Sequence, residues 1–258
     1  MSNGETGNRF KNCLEVKSIT EFVERVFNLP PPKHGGGYIF RGQGKDWLLL
    51  PKIARKDLVD AHTRNKYLEK NLLERFRLNA VAYLPVLERT ETRDWWRCAA
   101  YAQHHKLPTR LLDWTRSPLT ALFFAVEKPD SSSQYCWVYA YPTPEVFTYS
   151  NQQFNEKPWE YKTGTVSFLQ PDITHPRIMA QSGLFAVHPG SPSMGYTQDV
   201  YSDELFGIKI PTCWANDLLK RLAVLGINRA TLFPEPDKIV EHLVWEVINK
   251  VDRLADDV

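Results

Sequence analysis

The thirteen residues Gln103-His104-His105-Lys106-Leu107-Pro108-Thr109-Arg110-Leu111-Leu112-Asp113-Trp114-Thr115 set an amide, two imidazoles, a guanidinium, a carboxylate and two hydroxyls among apolar side chains. Polar groups held between hydrophobic elements must bond to one another or to a ligand, because an unpaired buried polar group costs roughly 1–3 kcal/mol. The stretch reads as a Pro-kinked polar loop feeding a buried helix that opens at Ser117-Pro118 and runs through Leu119 to Val126. Thr109 follows the rigid Pro108, so its hydroxyl and amide can orient a ligand or make simple turn bonds. His104 and His105 are adjacent, so at a helix end their rings diverge by about 100° and cannot chelate a metal as an i, i+4 pair does. One imidazole is expected to cap the preceding helix and the other to reach a substrate or Asp113. Asp113 is expected to cap the next helix or to pair with Arg110, or to fix Arg41 or His105 from behind.

A second cluster, Arg41-Gly42-Gln43, ends the short strand Tyr38-Ile39-Phe40. A strand-end guanidinium suits bidentate contact with phosphate or a ribose hydroxyl, and Gly42 lets a ligand approach the backbone. The structural alternative is an arginine paired with Asp113 or another carboxylate. Further on, Gln181 precedes Gly183-Leu184-Phe185 and can face a cleft, while Glu235 sits between Pro234 and Pro236 on a stiff turn.

These residues need positioning elements. Ser18-Ile19-Thr20-Glu21 reads as a capping box opening a short helix that stops at Pro30-Pro31-Pro32. Apolar periodicity predicts a long helix from Thr63 to Leu87 and a second from Thr92 to Gln103. Strands are predicted at Tyr135–Tyr141, Gly183–His188, Leu205–Ile210 and Ala230–Phe233, with a loop-rich stretch from Pro142 to Pro176. Helices are predicted at Trp214–Leu225 and from Asp237 to about Val251. The strands lack the regular beat of a doubly wound sheet, so the fold class is α+β: a disordered lead-in over residues 1–12, then a single mixed domain over 13–258.

Composition narrows the classes. The chain has 258 residues, 43% apolar and 24% charged, with a net charge of +2, too small to imply a nucleic-acid or membrane partner by itself. No apolar run approaches the ~20 residues of a membrane span and the polar N-terminus has no signal-peptide core, so a cytoplasmic protein is expected. Cys13, Cys98, Cys136 and Cys213 form no Cys-x-x-Cys pair, which predicts reduced thiols and no structural zinc.

Phe40-Arg41-Gly42-Gln43 with Trp47 and Pro51 behind it, the block from Gln103 to Trp114, Ser117-Pro118 and Leu232-Phe233-Pro234 resemble the FRG domain family, named for its Phe-Arg-Gly. Two departures stand out: Lys106 occupies a position that is usually Gly, and Glu235-Pro236-Asp237-Lys238 replaces the usual Asp-Leu-Asp-Gly. The element order is similar to that of the ADP-ribosyltransferase superfamily, in which a first strand bears an NAD-binding Arg or His, hydroxyls precede a helix, and a late strand presents a catalytic Glu. The resemblance implies a split sheet flanked by helices, NAD as donor substrate and no metal. The chain offers Arg41 with Gly42, then Thr109, Thr115 and Ser117 before a helix, and Glu235 as the catalytic carboxylate. With the residue chemistry above, the expected NAD-site residues are Arg41, Gly42, Gln43, Thr109, Arg110, Asp113, Ser117 and Gln181, and the catalytic ones Glu235 and His105.

The function expected on this basis is ADP-ribosyl transfer to a nucleic acid or protein by a bacterial toxin or anti-phage effector, with a neutralising antitoxin or regulatory protein as partner. The rival is a module that binds or senses a nucleotide through Arg41, Gln43 and Arg110 without turnover. A metal-dependent nuclease built on His105 and Asp113 lacks the carboxylate cluster such chemistry prefers.

Overall fold

A computed structural model of the chain describes residues 13–33, 36–55, 58, 67–80, 82, 92–143, 156–161, 165–171, 176–189, 201 and 204–251. The expected lead-in and the outer parts of the helix expected over Thr63–Leu87 lie outside these residues. The strands are β1 (Cys13–Glu15), β2 (Gly37–Gln43), β3 (Leu111–Thr115), β4 (Tyr135–Thr143), β5 (Ser167–Leu169), β6 (Gly183–Val187) and β7 (Phe206–Pro211). The helices are α1 (Ile19–Phe27), α2 (Leu68–Ala80), α3 (Thr92–His104), α4 (Pro118–Val126), α5 (Pro176–Ala180), α6 (Ala215–Val224), α7 (Arg229–Leu232) and α8 (Pro236–Asn249). The fold is α+β, with one sheet in the order β1-β7-β4-β2-β3-β6-β5. Only β1 and β7 pair in parallel among the described residues. No helix among them is long and apolar enough to cross a membrane.

The sheet has a weak centre. β2 pairs with β4 along its whole length, whereas it meets β3 at one position, Phe40 opposite Thr115. The halves β1-β7-β4-β2 and β3-β6-β5 of this one sheet are thus joined by a single residue pair. In antiparallel register, paired residues share a face. Phe40, Ala140 and Ile208 pack against α1, α4 and α6, while Leu111, Phe185 and Val187 pack against α2 and α3 on the same side. The other face is an aromatic layer in which Ile39, Trp114, Tyr139 and Tyr141 meet Leu49 and Tyr201.

Local chemistry explains the element boundaries. Ser18 caps α1, its hydroxyl accepting from Glu21 N, and Ser117 caps α4 by accepting from Thr120 N with Pro118 in the first turn. Helix α3 ends in a Schellman turn: Leu107 N donates to Ala102 O, Lys106 N donates to Gln103 O, and Lys106 takes φ of 68°. A lysine therefore makes the left-handed turn that glycine would make without strain.

Two expected elements are corrected. Residues 111–115 are strand β3 rather than loop, because Leu111, Leu112, Trp114 and Thr115 are buried on the two faces and only Asp113 is exposed. Residues 229–232 are helix α7 rather than a late strand. Asn228 caps it reciprocally, its side chain accepting from Thr231 N while its own N–H donates to Thr231 Oγ1, and this box outweighs the β-propensity of Thr231 and Phe233.

Candidate functional site

A cleft of about 1120 Å³ opens over the gap between β2 and β3, walled by the end of α3, the end of α4, and α5. Arg41 spans the gap. Its Nη1 donates to the main-chain O of Asp113 at 2.5 Å and its Nε donates to Gln43 Oε1 at 3.2 Å. Gln43 Nε2 in turn donates to Trp47 O at 2.9 Å, so the loop after β2 holds the guanidinium in place. Arg41 Nη2 makes no bond to a described residue, leaving that half of the fork free for an anion. Burial pulls the Arg41 pKa below its ordinary value and Asp113 opposes the shift; a guanidinium keeps its proton regardless.

Asp113 presents its carboxylate to the cleft from the middle of a central strand. Gln103 Nε2 donates to Asp113 Oδ2 at 3.1 Å, and Thr109 Oγ1 donates to Gln103 Oε1 at 2.8 Å. The Thr109 hydroxyl fixes which end of the amide faces the acid. Across the cleft, Thr115 Oγ1 donates to Gln181 O at 2.6 Å, tying the start of β6 to the end of β3. Gln181 Nε2 donates to Leu232 O at 3.0 Å. The Arg177 guanidinium lies 4.2 Å from the centre of the Phe233 ring, its pKa lowered by burial and raised in opposition by Glu235, Asp113 and Glu127. Arg41, Arg55, Lys106, Lys128 and Arg177 line the cleft against two acids, Asp113 and Glu127. Glu127 is already paired with Arg229. The resulting field attracts anions, and half-exposed Trp47 at the mouth offers a flat apolar surface.

The structure brings Arg41, Gly42, Gln43, Asp113 and Gln181 together at this cleft, and leaves five expected residues outside its lining. Arg110 is 1% exposed and forks onto Glu69, Nε at 2.9 Å and Nη2 at 2.6 Å from Oε2, so neither Asp113 nor a ligand is its partner. Thr109 is buried behind Gln103. Ser117 caps α4, the role weighed for Asp113. His105 is exposed beside Phe76, and it is His104 that reaches the lining. Glu235 is the N-cap residue of α8, near enough to Arg177 to raise its pKa, and is not aimed by a strand.

Gly42 has a different reason for being glycine from the expected one. A Cβ there would lie 1.8 Å from Ala121 O and 2.6 Å from Ala125 N, so its bare backbone admits α4. Gln103, Arg55, Lys128 and Arg177 join the site without having been singled out for it. Arg177 was the most legible, four residues before Gln181, whose N–H donates to the Arg177 carbonyl just past the end of α5. Among the described residues no group of three His, Cys, Asp or Glu is arranged to hold a metal ion.

No curated protein and no solved structure matches the chain. Residues 36–134 match the family model of the FRG domain, a span that includes Arg41, Gln103 and Asp113 and the gap between their strands.

Proposed function

We propose that the cleft binds NAD and that the protein transfers ADP-ribose from it to a macromolecular acceptor. The observation that carries the reading is the gap between β2 and β3, with a half-committed guanidinium on one side and an exposed carboxylate on the other. The residues fit the donor. Arg41 and the cationic lining suit a diphosphate, Trp47 and Phe233 suit planar rings, and the volume suits a dinucleotide. Transfer breaks the bond between nicotinamide nitrogen and ribose C1′, nicotinamide leaving with the electron pair. A nucleophilic oxygen or nitrogen of the acceptor then bonds to C1′ and gives up its proton. Asp113, the acid that faces the cleft with no cation fixed to its carboxylate among the described residues, stabilises the positive charge developing on the ribose and receives that proton.

One observation favours a second reading. The late strand that borders the cleft is β6, and its start carries the amide Gln181 where the superfamily order calls for a glutamate. A site with that amide would hold a nucleotide without turning it over.

Labelled NAD with and without cell extract separates the two. Release of nicotinamide and label on RNA, DNA or protein is expected, while saturable binding without release would favour the second reading and absence of binding would reject both. Transfer of this kind would act in the bacterial cytoplasm, where NAD is supplied, as a toxin or anti-phage effector restrained by an antitoxin or regulatory protein.

A further inference from the structure

Helix α8 has two sides. One is turned to the protein, with His242 buried and stacked on Trp245 at 5.7 Å between ring centres. The other shows Ile239, Val240, Leu243, Val244, Val247 and Ile248, each 42–72% exposed. They recur at i, i+1, i+4, i+5, i+8 and i+9, which makes two neighbouring ridges on one helical face with no charged residue between them. The six leave roughly 600 Å² of aliphatic surface in water, at the top of the ~300–600 Å² of the largest patch on a typical monomer.

We propose that this face is the interface of a homodimer, α8 packing antiparallel on α8 of a second copy about a two-fold axis that passes between Leu243 and Val244. The spacing is self-complementary. That axis brings Ile239 level with Ile248 of the second copy, Val240 with Val247, and Leu243 with Val244, so every level is apolar on apolar. The helix dipoles favour the antiparallel sense. Lys250 stands exposed at the C-terminal end and the N-terminal end carries Asp237, paired with Lys238, so an antiparallel arrangement sets Lys250 of each copy beside the Asp237–Lys238 pair of the other and opposes the helix dipoles. The acids flanking the stripe need nothing from the second copy: Glu241 is held by Arg229 and Lys238, and Glu246 by His242. Fully covered, the stripe would bury at most about 1,200 Å² over the two copies, which reaches the lower bound of a standard stable interface.

The test is the mass of the full chain by size exclusion with light scattering. At about 50 µM, well above the Kd of an ordinary dimer, twice the 29.9 kDa chain mass is expected, and Val244→Glu is expected to raise the dissociation constant at least tenfold with an unchanged circular dichroism spectrum. Under oxidation, Val244→Cys in a Cys213→Ser background is expected to form a disulfide-linked dimer, and Lys220→Cys in that background is not. A monomeric wild type overturns the proposal, whether its stripe is covered by another part of this chain or by a different protein. So does a dimer that Val244→Glu leaves intact, or a Val244→Cys chain that fails to cross-link.

Discussion

Arg41 and Asp113 meet where β2 and β3 stop pairing: the Arg41 Nη1 donates at 2.5 Å to the Asp113 carbonyl that a neighbouring strand would otherwise occupy. A side chain thus stands in for a rung of the ladder, and the space it spans becomes the cleft. Arg41→Ala is expected to lower NAD affinity at least tenfold while thermal unfolding shifts by only a few degrees, since the two bonds lost, to the Asp113 carbonyl and to Gln43 Oε1, are exposed and half-buried. Arg41→Lys is expected to recover stability but little affinity, because an ammonium lacks the planar fork that points one donor at the carbonyl and others at a phosphate in fixed directions. Calorimetric titration checks both.

The two candidate acids are expected to part company. Asp113→Asn should cut nicotinamide release by two orders of magnitude or more, with NAD binding changed less than threefold, as follows from an interaction made mainly in the transition state. Glu235→Gln should leave release within a factor of about three, since Glu235 lies outside the cleft lining. The opposite ranking in single-turnover assays would return the catalytic role to Glu235.

Burial makes Arg110 a matter of stability. Glu69 and Arg110 are 4% and 2% exposed at their side chains, so removing either strands a buried charge. Glu69→Ala is expected to cost about 3–5 kcal/mol in urea unfolding, and the double replacement Glu69→Met, Arg110→Leu much less.

Acid should weaken the fold through His188. It is fully buried, Nε2 is 3.1 Å from the Tyr201 hydroxyl, and Nδ1 has no partner among the described residues. Burial, aided by Arg41 and Arg110, depresses its pKa from 6.5 to about 3, so the folded protein keeps it neutral. Unfolding lets it protonate, and between pH 6.5 and 3 the unfolded chain carries the extra proton. Stability is therefore full above about pH 7 and falls by about 2 kcal/mol at pH 5 from this group alone. His188→Leu should flatten that slope in melts taken across the range.

Backbone strain offers a gain. Lys106 holds φ of 68° at the end of α3, and Lys106→Gly is expected to stabilise by about 0.5–1 kcal/mol. The reverse holds at Gly42, where Gly42→Ala drives a methyl into α4 and is expected to cost more than ~3 kcal/mol. Chemical denaturation measures both.

Helices with a full apolar period, α3, α4, α6 and α8, were legible in the sequence because one face of each had to be buried or, in α8, at least kept apolar. The chemistry hid β3: a strand bearing Arg110 before it and Asp113 within it looks like a polar loop until the open gap beside it is known. Arg41, Gln43 and Asp113 announced a site through side chains that only partners or ligands can satisfy. The role of Arg110 could not be read in the same way, since Glu69 lies 41 residues upstream on a helix with charges all round and only the folded path brings them together. Asn228 and Thr231 did carry a signal for α7, three residues apart as a capping box requires, but the apolar residues after them argued more loudly for a strand.

The single-pair join has a mechanical meaning. Passing from β2 to β3, from β3 to β4, from β4 to β5 and from β6 to β7, the chain stitches across the seam four times. Neither half can be cut out and folded alone, for each lacks strands that the other interrupts. Phe40 and Thr115 are the one backbone pairing across the seam, so it is these four connections, more than the ladder, that tie the two plates together. The softest line through the sheet is therefore also the one the backbone guards most heavily, and a bond cleaved in any one stitch would leave the plates still tied by the others.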